Sequence, residues 1–310
     1  MTTFAKTAFS AKNYAAFRPS YPASLYNTVL GYHKAGPAPR WNKMLDLGCG
    51  HGLISRAMSA HFAAVLATDP SAGMVKQAQS TTAQENSNIT FAQGSAEDLS
   101  LVGEDGSVDM AVAGQAAHWF DYARVWPNLA RVVGRGGTVA LWGYKDNVLV
   151  GKEQATRIME RYIYDFGEVA NVQGGWSVEG MGRFWEQPGR NILRDLLRSV
   201  KPPPEDWEAV TRLEHEPGAE GDPDEAAWQR KTMKLGEVEG YTRTFSCFTG
   251  WAEAYADRKA RKDGGEGDII DVMWDEMVAS VPEWKAMGDR WREAEVESDW
   301  GTYIIMARRR

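Results

Sequence analysis

Short apolar runs alternate with segments of helical period through the first half of the chain. Residues 44–47 (Met-Leu-Asp-Leu) form an apolar run broken by one carboxylate, and the run enters a loop with glycine at every second position, Gly48, Gly50 and Gly52. Leu53, Ile54 and Met58 then recur at helical spacing. Runs at 65–68, 89–92, 108–113 and 138–142 predict four more strands, the last entered through Gly134, Gly136 and Gly137. Met74, Val75 and Ala78 mark a helix between the second and third runs. Such alternation predicts a parallel sheet with right-handed crossovers, and ligands sit at the carboxyl ends of its strands.

Outside that block the rhythm changes. Phe9, Tyr14, Phe17, Arg18, Tyr21 and two prolines precede a helix suggested by Leu25, Val29 and Leu30. Beyond Tyr144 the pattern predicts helices at 153–166, 190–200 and 238–257, and possible strands at 207–215 and 229–235. Ile270, Met273, Trp274 and Met277 fall at i, i+3, i+4 and i+7 of another helix, a spacing that plain core packing explains. A last apolar strand at 300–307 would return to the sheet as an antiparallel member. The expected division is an N-terminal cap segment at 1–40, a core from 41–144 and 290–310, and a mostly helical substrate-binding insertion or lid at 145–289.

Composition narrows the class. The 310 residues, 43% hydrophobic and 25% charged, suffice for a full core. A net charge of -7 leaves no basic footprint for nucleic acid. The two cysteines, Cys49 and Cys247, have no metal-ligand spacing, and no disulfide or metal is expected. No apolar run approaches the length of a membrane span. The expectation is a cytoplasmic protein with no implied protein partner. Nine of the 13 tryptophans lie beyond residue 150, which suggests core or an apolar pocket.

The carboxylate before the glycines decides between ligands. Asp46 would repel a pyrophosphate and attract an ammonium, which favours S-adenosylmethionine over NAD. The pattern Asp46-x-Gly48-x-Gly50-x-Gly52 resembles motif I of the class I methyltransferases. Asp69 ends the second run about 20 residues on, the spacing at which an acid reaches ribose hydroxyls. Asp69 could instead cap the following helix, although Ser71 suits that role better. The expected cofactor contacts are Tyr14, Arg18, Asp46, Gly48, Cys49, Gly50, Asp69, Pro70, Met74 and Gln115. Ser95, Ala96 and Glu97 join them after the third strand, where class I methyltransferases carry a similar loop beside the adenine. Ser95 replaces the usual acid there.

Narrower landmarks are Arg18-Pro19-Ser20-Tyr21-Pro22, Ala117-His118-Trp119-Phe120-Asp121, Trp142-Gly143-Tyr144, Trp185-Glu186-Gln187-Pro188-Gly189-Arg190 and Thr244-Phe245-Ser246. Together they resemble the fungal trans-aconitate methyltransferase family, which includes a cantharidin-detoxifying member. The resemblance implies a Rossmann-like seven-stranded class I fold and methyl transfer to an oxygen, often a carboxylate, of a small acid. It loosens between residues 165 and 235, so it transfers no substrate.

An in-line displacement at the cofactor methyl needs donor and acceptor aligned and water excluded. A carboxylate acceptor needs no base. A hydroxyl acceptor would, and His118 is the candidate, as base or as positioning residue. Arg190 would anchor an acidic acceptor, unless it lies on a helix surface or pairs with Asp195. Trp119, Trp142, Phe184 and Trp185 are candidate pocket walls. Two alternatives stay open: an O- or N-methyltransferase of a bulkier apolar natural product, and a non-catalytic cofactor-binding regulatory protein on the same fold.

Overall fold

The computed structural model describes residues 20–82, 87–172, 176–218 and 228–310. Tyr14 and Arg18 lie outside these residues. The chain divides into two compact units. One comprises Ser20–Asp146, Pro188–Gln229 and Trp300–Arg310, and the other includes Asn147–Gln187 and Arg230–Asp299.

The first unit opens with α1 (Ala23–Lys34), whose Leu25, Val29 and His33 are buried one turn apart. Strands and helices then alternate: β1 (Lys43–Leu47), α2 (Leu53–Met58), β2 (Ala64–Asp69), α3 (Ala72–Thr81), β3 (Ile89–Gln93), β4 (Val108–Gly114), α4 (Tyr122–Val132) and β5 (Val133–Leu149). Strands β1 to β5 pair in parallel, as the apolar runs predict. The sheet order is β3-β2-β1-β4-β5-β10-β8, where β8 is Trp207–His215 and β10 is Glu295–Arg309. β10 runs antiparallel to β8, with Thr302 opposite His215. Among the described residues the sheet has eight strands rather than the expected seven, because β9 (Arg230–Lys234) also pairs with β10.

A core cluster gathers Leu45 and Leu47 of β1, Ala111 and Ala113 of β4, Leu141 of β5 and Ile305 of β10 against Val125 and Leu129 of α4. Leu45 is in register with Ala111 and Ala113 with Leu141, and residues two apart on a strand point to one side, so these β1, β4 and β5 positions share one face of the sheet. Each fully buried leucine or isoleucine contributes about 1.5–3 kcal/mol.

The second unit carries α5 (Glu153–Tyr164), the antiparallel pair β6 (Glu168–Val172) and β7 (Trp176–Glu179), β9, α7 (Leu235–Thr242), α8 (Ser246–Ala254), α9 (Ile269–Ser280) and α10 (Pro282–Ala286). The single helix expected at 238–257 is two helices. Phe245 is extended, with φ -69° and ψ 138°, and the Thr242 and Thr244 hydroxyls donate back to the carbonyls of Glu239 and Tyr241. Threonines that bond nearby backbone in this way compete with helix propagation. The helix expected at 190–200 is the short α6 (Gly189–Arg194), ended where Leu196 and Leu197 take positive φ. No helix among the described residues is long and apolar enough to cross a membrane.

Candidate functional site at the strand ends

The glycine loop leaves β1 with Gly48 at φ +67°, Gly50 at +54° and Gly52 at +85°. These are left-handed conformations that glycine adopts without steric cost. Gly48 also has no room for a side chain, since a Cβ there would lie 2.5 Å from the Ala116 methyl. A Cβ on Gly50 would meet nothing within 4 Å among the described residues, so this face of the loop borders space they leave open. The loop is tied to β2 by Gly48 and Cys49, whose N–H groups both donate to the Thr68 carbonyl.

Asp46 is fully buried in β1 and accepts a hydrogen bond from Ser55 of α2 at 2.5 Å through Oδ2. Its other oxygen, Oδ1, has no partner among the described residues. Burial pushes the Asp46 carboxyl up to about 7, the Ser55 hydrogen bond opposes this, and the Asp69 charge adds to it. Ser55 is a residue the sequence alone did not single out, because only the packing of α2 on β1 brings it to the carboxylate.

Asp69 closes the other side of the loop. Its Oδ2 accepts from the Gly50 N–H at 2.9 Å and its Oδ1 from the Ser71 N–H at 2.8 Å. Ser71, not Asp69, caps α3, accepting from the Met74 N–H at 3.4 Å. The Asp69 carboxyl is raised by burial, against which the two backbone bonds act. Each of its oxygens keeps a second lone pair for a ligand. Pro70 is exposed beside it, while Met74 and Cys49 are buried.

Ser95 and Glu97 are half-buried and Ala96 is buried, in the turn after β3. The Glu97 carboxylate accepts from the Asp121 N–H at 3.0 Å and so ties this turn to the start of α4. Gln115, just past β4, has φ +53°. Its amide donates to the Tyr144 carbonyl at 2.9 Å and accepts from the Tyr144 N–H at 2.8 Å. The side chain thus continues the β4–β5 ladder by one rung.

His118 is buried in a turn at Ala117–Trp119, its ring centroid 4.6 Å from that of Trp119. The Pro188-Gly189-Arg190 turn packs on this one. A Cβ on Gly189 would lie 2.6 Å from the Trp119 ring and 3.0 Å from the His118 carbonyl oxygen. Two sequence landmarks about 70 residues apart therefore meet in one unit. Arg190 pairs with Asp146 of β5. The pairing with Asp195 considered from sequence is not formed; Asp195 lies 3.6 Å from Arg198 instead. Five residues apart, the two miss the three- or four-residue spacing that brings helical side chains together, a spacing that Asp195 and Arg198 do have.

Trp142 is fully buried at the end of the β4–β5 register, opposite Gly114. Tyr21 meets it edge-on at 5.9 Å and also contacts Trp228 at 5.6 Å. Trp228 in turn meets Tyr144 at 6.2 Å. Phe184 and Trp185 belong to the second unit, where the Trp185 indole donates to the Ile163 carbonyl at 3.0 Å and stacks on Tyr164. Phe184 there lies against Gly250.

Residues 45–141, the stretch containing the glycine loop and β1 to β5, match the methyltransferase domain model. The chain is 26% identical to the Saccharomyces cerevisiae protein named Probable S-adenosylmethionine-dependent methyltransferase CRG1, an alignment covering 100% of this chain and 99% of that one. The chain is an S-adenosylmethionine-dependent methyltransferase. Its similarity to methyltransferase cfoB of Aspergillus candidus is 29% identity over 64% of this chain and 61% of that protein. The solved structure of a candidate type II methyltransferase from Anaeromyxobacter dehalogenans shares the fold, with a TM-score of 0.62 at 24% identity over 94% of this chain and 98% of that one. The methyltransferase's residues suit the cofactor: a buried carboxylate oxygen without a partner, and a positive-φ loop bordering open space.

Proposed function

We propose that this methyltransferase transfers the methyl group to an oxygen of a small molecule, a carboxylate of a small organic acid, as in the trans-aconitate and cantharidin methyltransferases it resembles. The observation that carries this reading is the packing of the Arg190 turn onto the His118 turn within the unit that holds the glycine loop. Gly189, next to Arg190, lies against the turn that follows β4, and a guanidinium, whose fork matches a carboxylate, suits the anchoring of an acidic acceptor there.

When bound, S-adenosylmethionine supplies a methyl on a sulfonium. Asp46 holds the ammonium of its amino-acid end, and Asp69 takes ribose hydroxyls while keeping the loop in shape. Ser95, Ala96 and Glu97 border the adenine, and Pro70, Met74 and the loop backbone at Gly48, Cys49 and Gly50 complete the surface. Gln115 acts through the Tyr144 backbone. Trp119 and Trp142 exclude water and align the acceptor. His118 orients a carboxylate acceptor, which is already ionised, or removes the proton of a hydroxyl.

The pairing of Arg190 with Asp146 favours a second reading. With its charge balanced, the guanidinium draws an anion less strongly, and the ring cluster of Tyr21, Trp142, Tyr144 and Trp228 suits a bulkier apolar acceptor of an O- or N-methyltransferase.

The test is methyl transfer from labelled cofactor to a panel of small carboxylic acids, trans-aconitate first, against apolar phenols and amines. The carboxylate reading expects turnover of acids and a KM for them raised at least about tenfold in Arg190→Met, with cofactor affinity unchanged. Turnover confined to phenols or amines would overturn it in favour of the second reading.

A further inference from the structure

Asp46 and Trp142 sit on the same face of the sheet. Asp46 is in register with Val112 of β4, and Gly114, two residues on, is in register with Trp142 of β5. In-register residues of parallel strands, and residues two apart on one strand, point to the same side. This is the face opposite the cluster of Leu45, Ala111 and Leu141. The Trp142 ring turns its nitrogen edge over Gly114: a Cβ built there would lie 2.8 Å from Nε1 and 2.3 Å from the Ile54 δ-methyl. Gly114 thus leaves its side-chain space to an indole N–H on one side and α2 on the other.

Both residues are fully buried, and each has a polar atom without a hydrogen-bond partner among the described residues, Oδ1 of Asp46 and Nε1 of Trp142. A buried donor left unmade costs free energy comparable to a lost hydrogen bond. Trp207, Trp228 and Trp274 also have an indole nitrogen without a partner. Trp142 differs from them in its place, in register with Gly114 at the carboxyl end of β4, where ligands of such sheets bind. An acceptor oxygen from Asp46 and a donor N–H from Trp142, on one face, match the two charges of an α-amino acid.

We propose that Trp142 reads the carboxylate of the cofactor's amino-acid end through its indole N–H, while Asp46 reads the ammonium, so that the two side chains select a zwitterion. This rests on the Asp46 reading given above. It makes the indole a binding donor as well as a wall, and it makes Gly114 the residue that allows the ring to lie there.

Calorimetric titration of the full chain with S-adenosylmethionine and with its decarboxylated analogue tests it, for the unmodified protein and for Trp142→Phe. The unmodified protein is expected to bind S-adenosylmethionine about tenfold or more tightly than the analogue. Trp142→Phe should lose about tenfold for S-adenosylmethionine and nothing for the analogue, so that the preference disappears. An equal loss for both compounds would make the indole a packing group only. No loss for either would mean that the N–H meets no cofactor carboxylate. Unchanged cofactor affinities with a raised KM for an acidic acceptor would place the N–H on the acceptor. Each of these overturns the proposal. Asp46→Asn separates the two readings: it should weaken both compounds alike, and unchanged binding would remove the Asp46 reading without touching the Trp142 comparison. Should the Phe variant fail to fold, benzothienylalanine placed at 142 alone removes the N–H and keeps the ring size.

Discussion

Ser55 donates to Asp46 at 2.5 Å between two fully buried side chains, one from α2 and one from β1. The bond steadies a carboxylate that burial would otherwise leave costly to ionise, and it occupies one oxygen only.

Cofactor affinity should therefore depend on pH. Burial raises the Asp46 carboxyl to about 7, from an ordinary value near 4. Because the folded value is the higher one, the group's contribution to the stability of the free protein is full below about pH 4 and is lost as pH rises through about 7. Binding of an ammonium needs the ionised form, so affinity should fall as pH drops below about 7, by up to tenfold per unit. Titration calorimetry at pH 6 and 8, in buffers of different ionisation enthalpy, should show proton release at the lower pH. Asp46→Asn should bind weakly at both and release none.

Gly189→Ala should destabilise the protein and damage activity together. The new methyl would lie 2.6 Å from the Trp119 ring. Overpacking of this kind costs about 1–3 kcal/mol. The midpoint of urea unfolding should fall, and kcat/KM should drop more than cofactor affinity does, since the turn that moves carries His118.

Gln115→Ala should cost about 1–2 kcal/mol. It removes both hydrogen bonds to the Tyr144 backbone while leaving a Cβ at φ +53°. Gln115→Gly relieves the backbone but restores neither bond, so it should recover only part of the loss. Urea unfolding of the two variants checks the order.

In the second unit, Arg243 meets Glu239, Asp268 and Asp271 at 3.1, 2.6 and 2.8 Å, with the three acids buried and Arg243 half-buried. Burial works against the Arg243 charge, but the carboxylates around it outweigh this and raise its value. Arg243→Met should cost about 3–5 kcal/mol, because it leaves uncompensated buried charge. The carboxylates would then favour protonation in the folded state, so part of the loss should return as pH is lowered from 8 to 5. Unfolding at both values reads this directly.

Features set by neighbours in the chain were legible from sequence. The apolar runs of β1, β2 and β4 needed no long-range information, because a strand buried on both faces reads as a continuous apolar stretch. The loop at Gly48, Gly50 and Gly52 was equally local, since left-handed backbone at alternate positions selects glycine. Asp46 stood out because a carboxylate within a buried strand is expensive. The role of Ser71 as the cap of α3 followed from the same short-range logic.

What only the tertiary structure decided involves partners far apart in sequence. Nothing local marks Asp146 as the partner of Arg190, Tyr144 as the partner of Gln115, or Gly189 as the seat of Trp119. The strand at 207–215 was readable as a strand, but its pairing with β10 was not, because hydrogen bonding between strands leaves no period in either sequence. The break between α7 and α8 escaped the apolar pattern for a related reason: it is made by threonine hydroxyls and a buried ionic cluster rather than by glycine or proline. The sequence alone determined that a glycine loop with an acid before it lies at the end of a buried parallel strand. The face of the sheet that the acid shares with an indole N–H emerged only when register and packing aligned β1, β4 and β5.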